Sequence, residues 1–234
     1  MTAIERARRS IGRSRALVLA SLALLALVYV RALRFTPIEA TQGPAQKIFY
    51  IHAPSAWSAF VAFIVVGACS VLYLMLRDPR IDRLAASSAE VGTVFTTGVL
   101  LTGPIWGKPI WGAWWTWDAR LTSTLFLWFI FVGYLVLRSA VSESGQRARF
   151  SAVLGILGAL LVPFIHLSVK LFRTLHPQPV VLNPEGPTLP AAMLVTLLVS
   201  FGVFTLFYAA LTWLRYAQST LADAEGEARA EAER

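Results

Sequence analysis

The 234-residue sequence is poor in the residues on which most soluble enzymes are built. Only 15% of it is charged, against roughly a quarter in an average soluble domain. Its one cysteine, Cys69, lies inside an apolar run, which excludes an intrachain disulfide, a CxxC redox pair and a CxxCH attachment site. No Gly-rich phosphate loop occurs, so nucleotide binding by a P-loop is excluded as well. The three histidines form no HxxxH pair, and no cysteine cluster completes a protein zinc site. Acidic residues are few, 13 against 21 Lys and Arg, leaving a net charge of +8. Such a charge can serve nucleic acid, but here the basic residues lie between apolar segments, as topology signals do. Nucleic acid is therefore not an expected partner.

What the sequence has instead is apolar length. It is 56% hydrophobic, with a mean hydropathy of +0.62. A spanning helix needs roughly 20 mostly apolar residues, and six segments qualify: about 16–33, 55–76, 88–104, 122–138, 151–171 and 189–214. The fold class expected is an all-α, polytopic membrane protein. The third and fourth segments are the weakest, the third diluted by Glu90 and a threonine-rich stretch. The first follows five arginines but lacks a good cleavage site, so it reads as a retained anchor. Six spans put both termini on one side, which then carries fourteen basic residues against seven on the other. The positive-inside bias predicts that both termini are cytoplasmic. The expected division is a basic N-tail (1–15), a membrane domain (16–214) and a charged C-tail (215–234) that frays or stays unstructured.

On this topology the chemistry gathers on the outer face. Five of eight tryptophans, Trp106, Trp111, Trp114, Trp115 and Trp117, fall within twelve positions of the loop between spans three and four. Trp111, Trp114, Trp115 and Asp118 have i, i+3, i+4, i+7 spacing, which predicts a short interfacial helix with an indole face and a carboxylate at its edge. An aromatic belt at headgroup level is one reading of the tryptophans. A stacking platform for a large flat ligand is the other. Asp118 and Arg120 serve either to orient a ligand or partner, or to cap span four. His52 and His176 lie in outer loops at similar depth, as satisfied polar residues or as a ligand pair. Two imidazoles beside a flat aromatic surface fit an iron porphyrin. His166, Lys170 and Arg173 form an i, i+4, i+7 polar stripe, suited to propionates or to snorkelling.

The stretch "TGPIWGKPIWGAWWTWDARLTS" resembles the tryptophan-rich WGxWWxWD signature of haem-handling membrane proteins, and the short six-span chain is most similar to the haem exporter protein C family of cytochrome c maturation. "IFYIHAPSAW" and "IHLSVKLFRTLHP" match that family's two histidine motifs, so the resemblance runs from about 45 to 180. Leu171 and Phe172 stand where the family pattern has a tryptophan pair. The resemblance implies haem b held at the outer face of the bacterial cytoplasmic membrane, with His52 and His176 as axial ligands and the five tryptophans shielding the ring. It implies delivery to a periplasmic haem chaperone, CcmE, alongside the ABC subunits CcmA and CcmB, the small protein CcmD and membrane lipid. It implies handling of haem without independent enzymatic turnover. The rival classes are a transporter with a path through the bundle, which needs mid-span charges that are scarce here, and a structural ABC subunit, which needs no paired histidines.

The topology makes a direct prediction. In a Cys69→Ser background, Thr41→Cys and Ala113→Cys react with a membrane-impermeant thiol reagent added outside intact cells, whereas Ser142→Cys and Ala224→Cys do not. Labelling at Ser142→Cys overturns the six-span arrangement.

Overall fold

A backbone amide in lipid has no water to bind, so long apolar segments satisfy their own hydrogen bonds as helices. The computed structural model describes residues 1–178, 180–181 and 186–233. Among them the helices are α1 (Ala3–Arg34), α2 (Phe49–Leu76), α3 (Pro79–Trp111), α4 (Ala119–Ala140), α5 (Ser144–Leu171) and α6 (Ala191–Ala232), with a 3-10 turn at Pro44–Ile48 before α2. Each of the six is long and apolar enough to cross a bilayer. The chain is an all-α, multi-pass membrane protein. Part of the third expected loop, residues 182–185, and Arg234 lie outside the described residues.

Local chemistry sets the boundaries. Thr2 and Glu5 form a capping box at the start of α1. Arg77 closes α2 in the left-handed region, at φ 57°, and Asp78 with Pro79 at once starts α3. All six helices run further than the expected apolar segments, α1 taking in the basic N-terminal stretch from Ala3. α2 starts at Phe49 and not at 55, so Pro54 lies inside it. α3 continues through Pro104 and Pro109 to Trp111, because membrane helices tolerate proline where neighbouring helices cover the freed carbonyls. α6 continues to Ala232, so the C-terminal stretch through that residue is helical.

The bundle is built around α2, which packs on α3, α5 and α6, while α1 lies outside and packs chiefly on α6. Its core combines small polar residues with a few rings. Ser14, Ser21, Ser58, Ser88, Ser151, Ser168, Thr196 and Ser200 are all fully buried, whereas Leu19, Leu27, Val94, Leu101 and Leu160 are exposed. Lipid is as apolar as leucine, so association comes from close approach and interhelical hydrogen bonds. The Ser88 hydroxyl lies 2.8 Å from the Tyr208 hydroxyl, joining α3 to α6. Phe63 and Phe131 stack at 3.7 Å between α2 and α4. A Cβ on Gly92 would sit 2.8 Å from Ala62 Cβ, and one on Gly158 would sit 2.5 Å from Phe131 Cε2.

Ion pairs fasten the end of the bundle that holds the termini. Arg138 on α4 is bidentate to Asp82 on α3, at 2.7 and 2.9 Å. Arg83 and Glu90 on α3 pair with Asp223 and Arg215 on α6, and Arg8 on α1 reaches Glu225. α6 is thereby tied to both α1 and α3 beyond its most apolar stretch.

The two kinds of glycine predict opposite signs. Gly158→Ala forces a methyl into Phe131 and lowers thermal stability in detergent by about 1–3 kcal/mol. Gly133→Ala, with no neighbour within 4 Å of its Cβ, leaves stability unchanged or raises it by up to about 1 kcal/mol through helix propensity.

Candidate functional site

The connections 35–48 and 112–118 and the described part of 172–190 lie at the end of the bundle opposite the termini. Beneath them lie two adjoining cavities. The inner one, of about 70 Å³, is lined by His52, Gly103, Trp106, Trp111, Trp114, Trp115, Arg120 and His176 among others. The outer one, of about 540 Å³, lies between α2 and α6 and shares His52, Trp106, Arg120, His176 and Pro177 with the first. That volume falls in the range of small-molecule sites.

His52 sits in the first turn of α2, buried, and not in a loop. Its Nδ1 lies 2.9 Å from the Thr102 hydroxyl on α3. The single hydroxyl proton of Thr102 is already donated to the Gly98 carbonyl at 2.7 Å. Thr102 must therefore accept from His52 Nδ1–H, which leaves the Nε2 lone pair free. Gly103 makes room for the ring, since a Cβ there would lie 3.3 Å from His52 Cε1. Trp106 meets the imidazole edge-on at 5.6 Å, and its own indole N–H donates to Gln42 at 3.2 Å.

His176 reaches the same cavities from the loop after α5. Thr174 accepts its backbone N–H at 3.0 Å, and Gln178 anchors the loop by donating to the Val169 carbonyl. Nδ1–H of His176 donates to the Pro177 carbonyl at 3.0 Å, so again Nε2 keeps its lone pair. The ring edge remains partly accessible, yet burial, then the Arg120 charge, push this imidazole down to about 3. It is neutral across the ordinary pH range, and a neutral imidazole is the form that binds a metal. Trp111 stands 6.4 Å from it, ring centre to ring centre.

The tryptophan segment is not the interfacial helix that its spacing predicts. Gly112 takes φ 75° and donates to the Lys108 carbonyl, ending α3. Residues 113–118 are then non-helical, since Asp118 must be extended to cap α4. The five indoles consequently divide. Trp106 and Trp111 on α3, with Trp114 and Trp115 in the loop, line the inner cavity. Trp117 is 78% exposed, lines neither cavity and meets Trp115 edge-on at 5.9 Å. The indole N–H of Trp115 is buried without an acceptor among the described residues.

Asp118 caps α4, accepting from Arg120 N and Leu121 N at 3.0 Å each. Arg120 instead faces both cavities, and among the described residues its guanidinium has no side-chain acceptor. His166 lines the outer cavity. Because α5 stops at Leu171, the expected polar stripe loses Arg173, and Lys170 and Arg173 are exposed and line neither cavity. Among the described residues no three His, Cys, Asp or Glu side chains gather into a protein metal cage. The donors available to a metal here are two imidazoles that line the same cavities. Thr102, Gly103 and Gln42, which support them, carry no local sequence signal beyond lying near the tryptophan motif and the first histidine.

Residues 5–231 match the family model described as Heme exporter protein C. The chain is 39% identical over 196 residues to Heme exporter protein C of Bradyrhizobium diazoefficiens, covering 83% of this chain and 74% of that protein. It is 37% identical over 203 residues to that of Haemophilus influenzae, covering 86% and 82%. It is 35% identical over 160 residues to that of Escherichia coli K12, covering 68% and 65%.

Thr102 offers a test of the His52 geometry. Thr102→Val leaves a buried imidazole N–H unpaired and costs about 1–3 kcal/mol in thermal unfolding. Thr102→Ser retains the acceptor and stays near wild type. In nitrogen-15 NMR of selectively labelled protein, His52 reports protonation at Nδ1, and a proton on Nε2 instead contradicts the assigned network.

Proposed function

The chain belongs to the haem exporter protein C family, whose role is in haem export for cytochrome c maturation, and we infer that it holds haem b between His52 and His176 and hands it to a periplasmic chaperone. The observation that carries this reading is the pair of imidazoles lining a shared cavity, each with Nδ1–H donated to a protein oxygen and so with Nε2 left as the unprotonated nitrogen. Metal-ligating histidines are characteristically oriented through their other nitrogen, and loss of such a partner typically costs about 10–100-fold in metal affinity.

Haem is cargo in this scheme. His52 and His176 take the two axial positions of its iron, a ligation suited to oxidised haem awaiting transfer. Trp106, Trp111, Trp114 and Trp115 contact the ring, and Trp117, turned outward, suits the contact with the chaperone. A dicarboxylate in this chamber needs a cation, and among the described residues Arg120 faces it with no side-chain acceptor of its own. Arg120 therefore takes a propionate, with His166 at the rim of the outer cavity. Lys170 and Arg173 act at the headgroup surface. Asp118 sets the start of α4 and through it the direction of Arg120. The residues bind, orient and exclude water, and no turnover of haem by this chain is invoked.

The site faces the periplasm, with both termini in the cytoplasm of a bacterial inner-membrane protein, as the fourteen-to-seven division of basic residues favours. The chaperone is CcmE, the ABC subunits CcmA and CcmB, and the small membrane protein CcmD. The ion-paired cytoplasmic end of α6 is the part available to the ABC subunits.

Absorbance and paramagnetic resonance of the purified protein test the ligands. His52→Ala or His176→Ala loses the six-coordinate low-spin signature, and the double variant loses most bound haem, while His166→Ala retains ligation. An unchanged spectrum in the double variant removes the axial assignment.

A further inference from the structure

The outer cavity extends well below the histidines, and its lower part has no role in holding iron. On α2 it runs from Phe49 to Phe60, and on α6 from Leu197 to Thr205. At the standard helical rise the two walls are about 17 and 12 Å tall. The upper end carries His52, His176 and Arg120, and the walls below are mainly apolar and small, with Ala53, Ala56 and Gly202 among them. At the bottom the Trp57 indole N–H donates to Thr205 at 3.0 Å, a single bridge from α2 to α6.

Small residues on membrane helices usually draw two backbones together. On α6, Gly202 has not done so. Among the described residues no neighbouring atom lies within 4 Å of the place its Cβ would take. The residue is exposed, as are Trp57 at 45% and Leu198 at 49% on the same slot. The slot thus opens sideways, toward the lipid-facing surface, and is continuous with the histidine chamber. It is apolar along its length and cationic at its upper end, complementary to a flat apolar molecule with carboxylates along one edge.

We propose that the slot between α2 and α6, above the Trp57–Thr205 bridge and beside Gly202, is a lateral portal through which haem passes edge-on from the bilayer to its ligands. This rests on the haem-holding reading of the two histidines. The macrocycle slides between Ala53 and Ala56 on one wall and Gly202 on the other, with its carboxylate edge leading toward Arg120. Gly202 keeps the passage open, while Trp57 and Thr205 fix its floor.

The open space at Gly202 allows a plug that does not strain the fold. The full-length protein is reconstituted in phosphatidylcholine vesicles and mixed with vesicles carrying haemin, and growth of the low-spin Soret band is followed by stopped flow. Gly202→Trp slows loading by about tenfold or more, equivalent to 1.36 kcal/mol or more of added barrier. Its final occupancy on long incubation stays close to wild type, and Gly202→Leu falls between. Gly133→Trp, the same side chain on an open glycine of α4, loads at the wild-type rate. Loading of Gly202→Trp at the wild-type rate overturns the portal. So does a loss of final occupancy at unchanged rate, which makes position 202 part of the seat. Failure of the ligand reading appears separately: wild type then develops no bis-imidazole spectrum, or the His52→Ala, His176→Ala double variant still develops one.

Discussion

A buried imidazole must place its N–H on an acceptor, and here the acceptor is on another helix. The hydroxyl proton of Thr102 is committed to Gly98 one turn earlier, so Thr102 meets His52 as the acceptor. That chain of donations fixes the longitudinal register of α2 against α3. It requires α3 to remain helical up to Thr102, just before Pro104, and requires Gly103 to leave space for the ring. With the register set, Trp106 and Trp111 follow on the next turns of α3, one beside each histidine. The close approach at Gly92, further down the same pair of helices, holds the register from the other side.

The division of labour between side chains inverts that of a soluble bundle. Serines and threonines fill the interior and satisfy their hydroxyls mostly on their own helices, as Thr96 does on Gly92 and Ser200 on Thr196. Many leucines, such as Leu19, Leu27, Leu101 and Leu160, face outward, where lipid costs them nothing. This interior is cheap to keep closed only where shapes fit. The two cavities occur at the end where three loops and several broken or late-starting helical turns meet.

This inversion also decides what was legible in the sequence. Apolar length alone reveals the spans, because lipid requires it, and the two histidines and the tryptophan cluster stand out as polar or bulky exceptions. Helix ends are harder. Pro54, Pro104 and Pro109 read as boundaries under rules learned in water, yet all three lie inside helices. The regular spacing of Trp111, Trp114, Trp115 and Asp118 suggests one helical face, but Gly112 and the cap at Asp118 break the helix between them. Arg120 appeared beside Asp118 as one of an interchangeable pair, and only the folded chain separates a cap from a free cation. Thr102 and Gly202 were silent, since their roles depend on what another helix does opposite them, some 50 residues away for Thr102.

α6 runs for 42 residues without a proline, about 63 Å at the standard rise. One stretch of this rod forms a wall of the slot at Leu197–Thr205, and its far stretch is gripped by Arg83, Glu90 and Arg8 through Arg215, Asp223 and Glu225. The wall beside Gly202 and the ion-paired tail are therefore two stretches of one continuous element, held at its far end against α1 and α3.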